Sequence, residues 1–132
     1  MLRLATKNDS EWIAAIHPLW KPNSSSWVLD KKAFAIWQTA SDEAELLYIA
    51  VEASERGKGL AKTLMERCHK ELIAQGIKKF YLEVSETNIS AVSLYKKLGY
   101  EKIAERKEYY KNGETAVVMK FSAFWDMGQA AC

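Results

Sequence analysis

Between Arg56 and Ala61 the chain reads Arg-Gly-Lys-Gly-Leu-Ala, and an apolar run with helical spacing follows. Glycines at 57 and 59 let the backbone come close to a ligand. A helix starting there offers unpaired N–H groups and the positive end of its dipole. Together these suit an anion such as phosphate. Arg56, Lys58 and Lys62 add mobile positive charge around the turn. Two familiar phosphate patterns fail. A P-loop needs Gly-x-x-x-x-Gly-Lys-Ser/Thr; Lys62 and Thr63 supply its end, but Arg56 and Ala61 stand where the glycines belong. A dinucleotide fingerprint needs Gly-x-Gly-x-x-Gly; Gly57 and Gly59 fit, but Lys62 takes the third place. By residue type alone the stretch is either an anion-binding turn or a polar turn that caps a helix.

The neighbouring elements decide what such a turn can face. Before it, "EAELLYIAV" (43–51) is a strand with a nearly continuous apolar end, a pattern that fits cover on both faces. After it, Leu60, Leu64, Cys68 and Leu72 recur every four residues, with Ala61, Met65 and Ile73 beside them. That is one apolar helix face, and Gly76 stops it. "KKFYLEVS" (78–85) is a strand with Phe80, Leu82 and Val84 on one side and Tyr81 and Glu83 on the other. A second helix follows. Thr87 or Asn88 caps it, Ala91, Val92, Tyr95 and Leu98 form its face, and Gly99 ends it.

Outside this centre, "LRLA" (2–5) reads as a short strand, and a capped amphipathic helix carries Trp12, Ile13, Ile16, Leu19 and Trp20. "SWVLD" and "KAFAIWQTA" flank a hairpin turn at Asp30-Lys31, and "YEKIAERKEYY" and "ETAVVMKF" flank another at Asn112-Gly113. The predicted order is β-α-β-β-β-α-β-α-β-β: one mixed sheet carrying helices.

Composition narrows the class. At 132 residues, 48% hydrophobic and 27% charged, the chain reads as one globular domain over 1–132. A net charge of +2, with bases spread among acids, argues for neither nucleic acid nor membrane. Cys68 and Cys132 have no paired spacing, so neither a disulfide nor a metal is expected, and Cys68 reads as a buried, inert thiol. No apolar run long enough to span a bilayer and no signal core are found, so the expected compartment is the cytoplasm. His17 and His69 fall outside every motif and are not expected to be catalytic.

Arg-Gly-Lys-Gly-Leu-Ala resembles the acyl-coenzyme A loop of the GCN5-related N-acetyltransferase (GNAT) family, Gln/Arg-x-x-Gly-x-Gly/Ala. The resemblance extends through "LEVSETNISAVSLYKKLGYEKIAERKEYY": Leu-Glu-Val, the Asn opening a helix, Ala-x-x-Leu-Tyr, and the Leu-Gly-Tyr that ends it. Within the family the nearest subgroup is the bacterial ribosomal-protein-alanine N-acetyltransferases. It shares "DEAELLYIAV", "LEV", "SLY", and a Tyr-Tyr pair followed by a turn and an Ala-x-x-Met strand. The resemblance implies an α/β (α+β) fold, a GNAT-like mixed sheet of six to seven strands with helices on both faces. It implies acetyl-CoA as cosubstrate, no metal, direct attack on the thioester, and a protein N-terminus, in particular a ribosomal protein's, as acceptor. It also implies a monomer or weak dimer.

Residue by residue, the resemblance assigns Glu83 as general base and Tyr95 as the acid near the coenzyme sulfur. Arg56, Gly57, Lys58, Gly59, Leu60, Ala61 and Lys62 would hold the pyrophosphate. Backbone groups of Ile49, Ala50 and Val51 would pair with the coenzyme arm, which Asn88 would also contact. Tyr109 and Tyr110 match a pair near the acceptor. Each has a plainer reading: Glu83 a solvated strand residue, Tyr95 core, Asn88 an N-cap, the tyrosines packing. The segment "HPLWKPNSSSW" is shorter than the subgroup's acceptor-bounding region, and the tail beyond Phe121 matches nothing in it. An acceptor of another kind (a lysine, polyamine or drug) and a coenzyme-binding module without turnover are the alternatives.

Overall fold

A computed structural model describes residues 2–4, 26–30 and 32–123. They form a seven-stranded sheet in the order β1-β2-β3-β4-β5-β7-β6. The strands are β1 (Leu2–Leu4), β2 (Ser26–Leu29), β3 (Ala33–Ala40), β4 (Glu43–Val51), β5 (Lys79–Ser85), β6 (Glu101–Arg106) and β7 (Ala116–Ser122), and the helices are α1 (Leu60–Ala74) and α2 (Ile89–Lys97). Among the described residues the expected order of strands and helices holds. The helix expected around Trp12 to Trp20 and residues 21–25 after it lie outside the described residues, as does the tail from 124 on. Among the described residues, no helix is long and apolar enough to cross a membrane.

Local chemistry sets the ends of these elements. Asp30, at φ 49°, turns β2 into β3. The Asn88 side chain caps α2 by accepting from the Ala91 amide at 3.3 Å, which satisfies a donor the helix itself leaves free. Gly76 and Gly99 take φ values of 100° and 102° just beyond the two helices, a conformation that ends a helix at little cost only in glycine. The second hairpin turns at Gly113, whose amide donates to Tyr110 O at 2.8 Å. Its first strand stops at Arg106, earlier than the pattern suggested.

Both described helices pack on one face of the sheet. Leu64, Met65, Cys68 and Leu72 of α1 and Tyr95 of α2 share a core with Trp37, Phe80, Leu82 and Met119. Val28, Phe34 and Ile36 form a smaller cluster, against which Tyr48 and Ala50 pack.

Two irregularities shape the middle of the sheet. Ile36 pairs with Tyr48 but Trp37 pairs with Leu46, so Leu47 is an extra residue in β4. The bulge resets the alternation. Ala44 and Leu46 face the main core before it, and Ile49 and Val51 pack against the same core after it. Leu47 itself is left 52% exposed. Further, β4 and β5 run parallel but pair over only three positions, from Glu43↔Lys79 to Glu45↔Tyr81. Beyond that they diverge, and the β5-facing edge of β4 has no strand beside it among the described residues.

Candidate active site

The divergence of β4 and β5 opens a cavity of about 580 Å³ in the sheet. Leu46, Leu47, Tyr48 and Ile49 line it from β4, Glu83, Val84 and Ser85 from β5, and Asn88, Ala91 and Tyr95 from α2 and its cap. Tyr110, Lys111, Asn112 and Glu114 close it from the β6–β7 connection. Split strands leave N–H and C=O groups on the β4 edge without a partner strand. An extended ligand carrying amides can pair with such an edge as a missing strand would.

At the end of β4 a second, smaller hollow of about 240 Å³ is lined by Val51, Arg56, Gly57, Gly59, Leu60, Ala61 and Lys62, with Leu94 of α2 and Glu55, whose carboxylate is paired with Lys58 at 3.3 Å. Gly57 and Gly59 have φ values of 80° and 77°. Left-handed backbone of this kind suits glycine. The first backbone bond of α1 runs from the Thr63 amide to Gly59 O at 3.1 Å, so the amides just before it point out of the helix unpaired. No acidic residue occupies the first turn and no side chain caps it. Arg56 is braced by its Nε donating to Val51 O at 3.2 Å. Free amides, the positive end of the helix dipole and nearby cations fit a pyrophosphate.

Tyr95 is buried at the cavity wall, its ring edge-on to Tyr100 with centroids 5.9 Å apart. Burial pushes its phenol up from the usual tyrosine range, so it carries its proton at neutral pH. Glu83 faces the cavity from the solvent-side alternation of β5, with Arg106 Nη2 3.3 Å from its Oε1. The Tyr110 phenol is also raised, first by burial and then by the charge of Glu83. Ser85 Oγ donates to Glu114 Oε1 at 2.5 Å, and the Glu114 amide donates to Asn112 Oδ1 at 3.0 Å. These bonds tie the β6–β7 connection to the end of β5.

Most of the residues singled out in the sequence therefore meet. Ile49, Glu83, Asn88 and Tyr95 line the larger cavity; Val51, Arg56, Gly57, Gly59, Leu60, Ala61 and Lys62 line the hollow next to it. Ala50 and Lys58 line neither: Ala50 packs against the Val28 cluster and Lys58 Nζ donates to Glu55 Oε1 at 3.3 Å. Asn88 is an N-cap and a wall residue at once. The tyrosine pair divides, since Tyr110 lines the cavity while Tyr109 is exposed beside it. Sequence reasoning missed Leu47, Ser85, Glu114 and Arg106. Nothing in the local pattern marks a bulge or a contact across a strand.

His69, which belongs to no motif in the sequence, has a defined place in the core. It is buried, and its Nε2 meets Tyr100 OH at 2.7 Å. Trp37, Phe80, Tyr100 and Phe121 surround its ring. Cys68 is buried as expected, and burial pushes its thiol up to about 12. His17 and Cys132 lie outside the described residues. No group of three potential metal ligands occurs among the described residues.

Residues 5–100 match the model of the acetyltransferase (GNAT) family, and the chain belongs to that family. It is 41% identical over 91 residues to the [ribosomal protein bS18]-alanine N-acetyltransferase of Haemophilus ducreyi, which covers 66% of this chain and 63% of that protein. The enzyme of the same name from Escherichia coli strain K12 is 38% identical over 90 residues, covering 66% of this chain and 61% of its own length. The aligned stretch thus spans less than two-thirds of those relatives. Over the whole fold, the crystal structure of the ribosomal-protein-S18-alanine N-acetyltransferase from Escherichia coli superposes with a TM-score of 0.81, 26% identity and 93% of each chain covered.

Proposed function

We propose that this chain is an acetyl-CoA-dependent N-acetyltransferase of protein N-termini, with the terminal alanine of a ribosomal protein as acceptor. The observation that carries the reading is the placement of the two hollows on β4 and α2: one at a helix N-terminus suited to pyrophosphate, lined by Val51 and Leu94, the other lined by Ile49 and holding Glu83 and Tyr95. The names of the aligned relatives support the acceptor class. In this reading the chain acts as a single domain in the cytoplasm.

Acetyl-CoA, when bound, supplies a thioester. Amides of Gly57 to Lys62 hold its pyrophosphate, and N–H and C=O groups of Ile49 to Val51 align its arm. An α-amine titrates near about 8, so much of it is protonated at neutral pH and a base is needed. Glu83 takes the proton lost by the attacking nitrogen, directly or through one water. Tyr95 returns a proton to the sulfur as the carbon–sulfur bond breaks. The ammonium form first loses a proton to solvent; from the neutral amine the products are an amide and a thiol, and the proton left on Glu83 replaces the one Tyr95 gave, so atoms and charge balance.

A peptide panel incubated with acetyl-CoA and read by mass tests this. Alanyl N-terminal peptides, including one with the bS18 start, should gain one acetyl group on the α-amine. Label on a lysine side chain or a polyamine instead would replace the acceptor. Thermal shift separates binding from turnover: ligand at 100 times its Kd stabilises a fold by about 2.7 kcal/mol. No shift at saturating acetyl-CoA would sink the whole reading.

A further inference from the structure

Glu83 shares its face of the sheet with a cation from a strand it does not touch. β5 and β6 are separated by β7. Glu83 lies opposite Val118 of β7, and Arg106 lies opposite Ala116, two residues along. Strand residues two apart share a face, so both side chains stand on the same side. The gap is two strand spacings, roughly 10 Å, and the long arginine side chain closes it to 3.3 Å between Nη2 and Oε1. Among the described residues this is the one ion pair Glu83 makes.

Arg106 is braced in turn. Its guanidinium carbon sits 5.1 Å from the centre of the Tyr109 ring, within reach of a cation–π attraction. Tyr109 follows Glu108, which takes φ 51°, a left-handed turn uncommon outside glycine. That turn bends the chain back just after β6 ends. Exposed ion pairs add little to stability, and this one is at the rim, with side chains 24% exposed for Glu83 and 54% for Arg106. What it fixes is direction. With Oε1 engaged by a planar, rigid donor, Oε2 is the oxygen left for another partner.

Resting on the reading of Glu83 as base, we infer that Arg106 is a positioning residue: it holds Oε1 so that Oε2 meets the acceptor amine, and Tyr109 holds Arg106 in place. Lysine at 106 keeps the charge but loses the planar fork and the stacking, so it restores only part of the effect.

The test is a kinetic double-mutant cycle on the full chain, using acetyl-CoA and the best acceptor from the peptide panel. Arg106→Gln should lower kcat at least tenfold with the thermal shift by acetyl-CoA unchanged, and Arg106→Lys should recover part of the loss. Tyr109→Leu should fall between Arg106→Gln and the parent. In a Glu83→Gln background, Arg106→Gln should change the residual rate less than twofold, because the group it positions is gone. A kcat within twofold of the parent in Arg106→Gln, or an equal loss in both backgrounds, overturns the inference while leaving Glu83 as base. Full activity in Glu83→Gln overturns the base assignment itself, and a chain inactive on every acceptor overturns both.

Discussion

Glu83 and Tyr95 occupy one cavity but differ in surroundings. Tyr95 is buried, and burial holds its phenol protonated; that is the state a proton donor needs. Its ring also packs on Tyr100, so removing the hydroxyl alone is the informative change. Tyr95→Phe should lower kcat by about tenfold or more while leaving the melting temperature close to that of the parent, since one acid–base group supplies about 10²–10⁴-fold. Equal kcat in steady-state assays would assign Tyr95 to packing. Glu83→Gln keeps the shape and hydrogen-bonding reach of the side chain but removes its basicity. It should cost about 10²–10⁴-fold in kcat with acetyl-CoA affinity near normal. Titrating the acetyl-CoA thermal shift alongside initial rates separates the two quantities.

At the scale of elements, the glycine turn is where backbone geometry does the binding. Gly59 has φ 77°, and a methyl group built on it meets nothing within 4 Å. The cost of Gly59→Ala is therefore conformational rather than steric, about 1 kcal/mol. We expect urea unfolding to show that loss in the free protein, and a larger loss with acetyl-CoA present, because relaxing the turn also swings the Leu60 and Ala61 amides off the anion. An identical loss with and without acetyl-CoA would detach this turn from coenzyme binding. The two helices and β5 were legible from periodicity, β4 from its apolar run and β3 from the hairpin turn before it. Their apolar positions are short-range facts, and the caps at Asn88, Gly76 and Gly99 sit where the residue types put them. The Leu47 bulge was not legible, because a run of apolar residues carries no parity to break.

For the whole molecule, the buried His69 joins α1 to the sheet. Burial lowers its pKa to about 4 from the ordinary 6.5. The unfolded chain takes up this proton below pH 6.5, whereas the folded chain holds out to about pH 4. The unfolded state therefore binds more protons inside that window, and stability falls as the pH drops through it. The total is of order 3 kcal/mol, complete near the lower limit. Denaturant titrations at stepped pH should show that slope. His69→Gln, less stable at neutral pH because of the altered packing around Tyr100, should show a shallower slope than the parent between pH 6.5 and 4. A wild-type slope retained in the variant would place the proton uptake elsewhere.

The sequence by itself determined the local grammar of this protein. It marked the strands and helices, the turn at Gly57 and Gly59 with its cations, and the Glu and Tyr of the Leu-Glu-Val and Ser-Leu-Tyr stretches. Those features depend on residues within a few positions of one another, where side-chain period and backbone preference act directly. Only the tertiary structure decided that β4 and β5 part after Glu45 and Tyr81, that β7 comes to lie between β5 and β6, and that Arg106 thereby reaches Glu83. It also placed His69, which no sequence motif marks, in a cage of aromatic rings. These outcomes rest on pairings between segments tens of residues apart. Their energies come from contacts that form only once the sheet closes, and no local pattern in the chain records them.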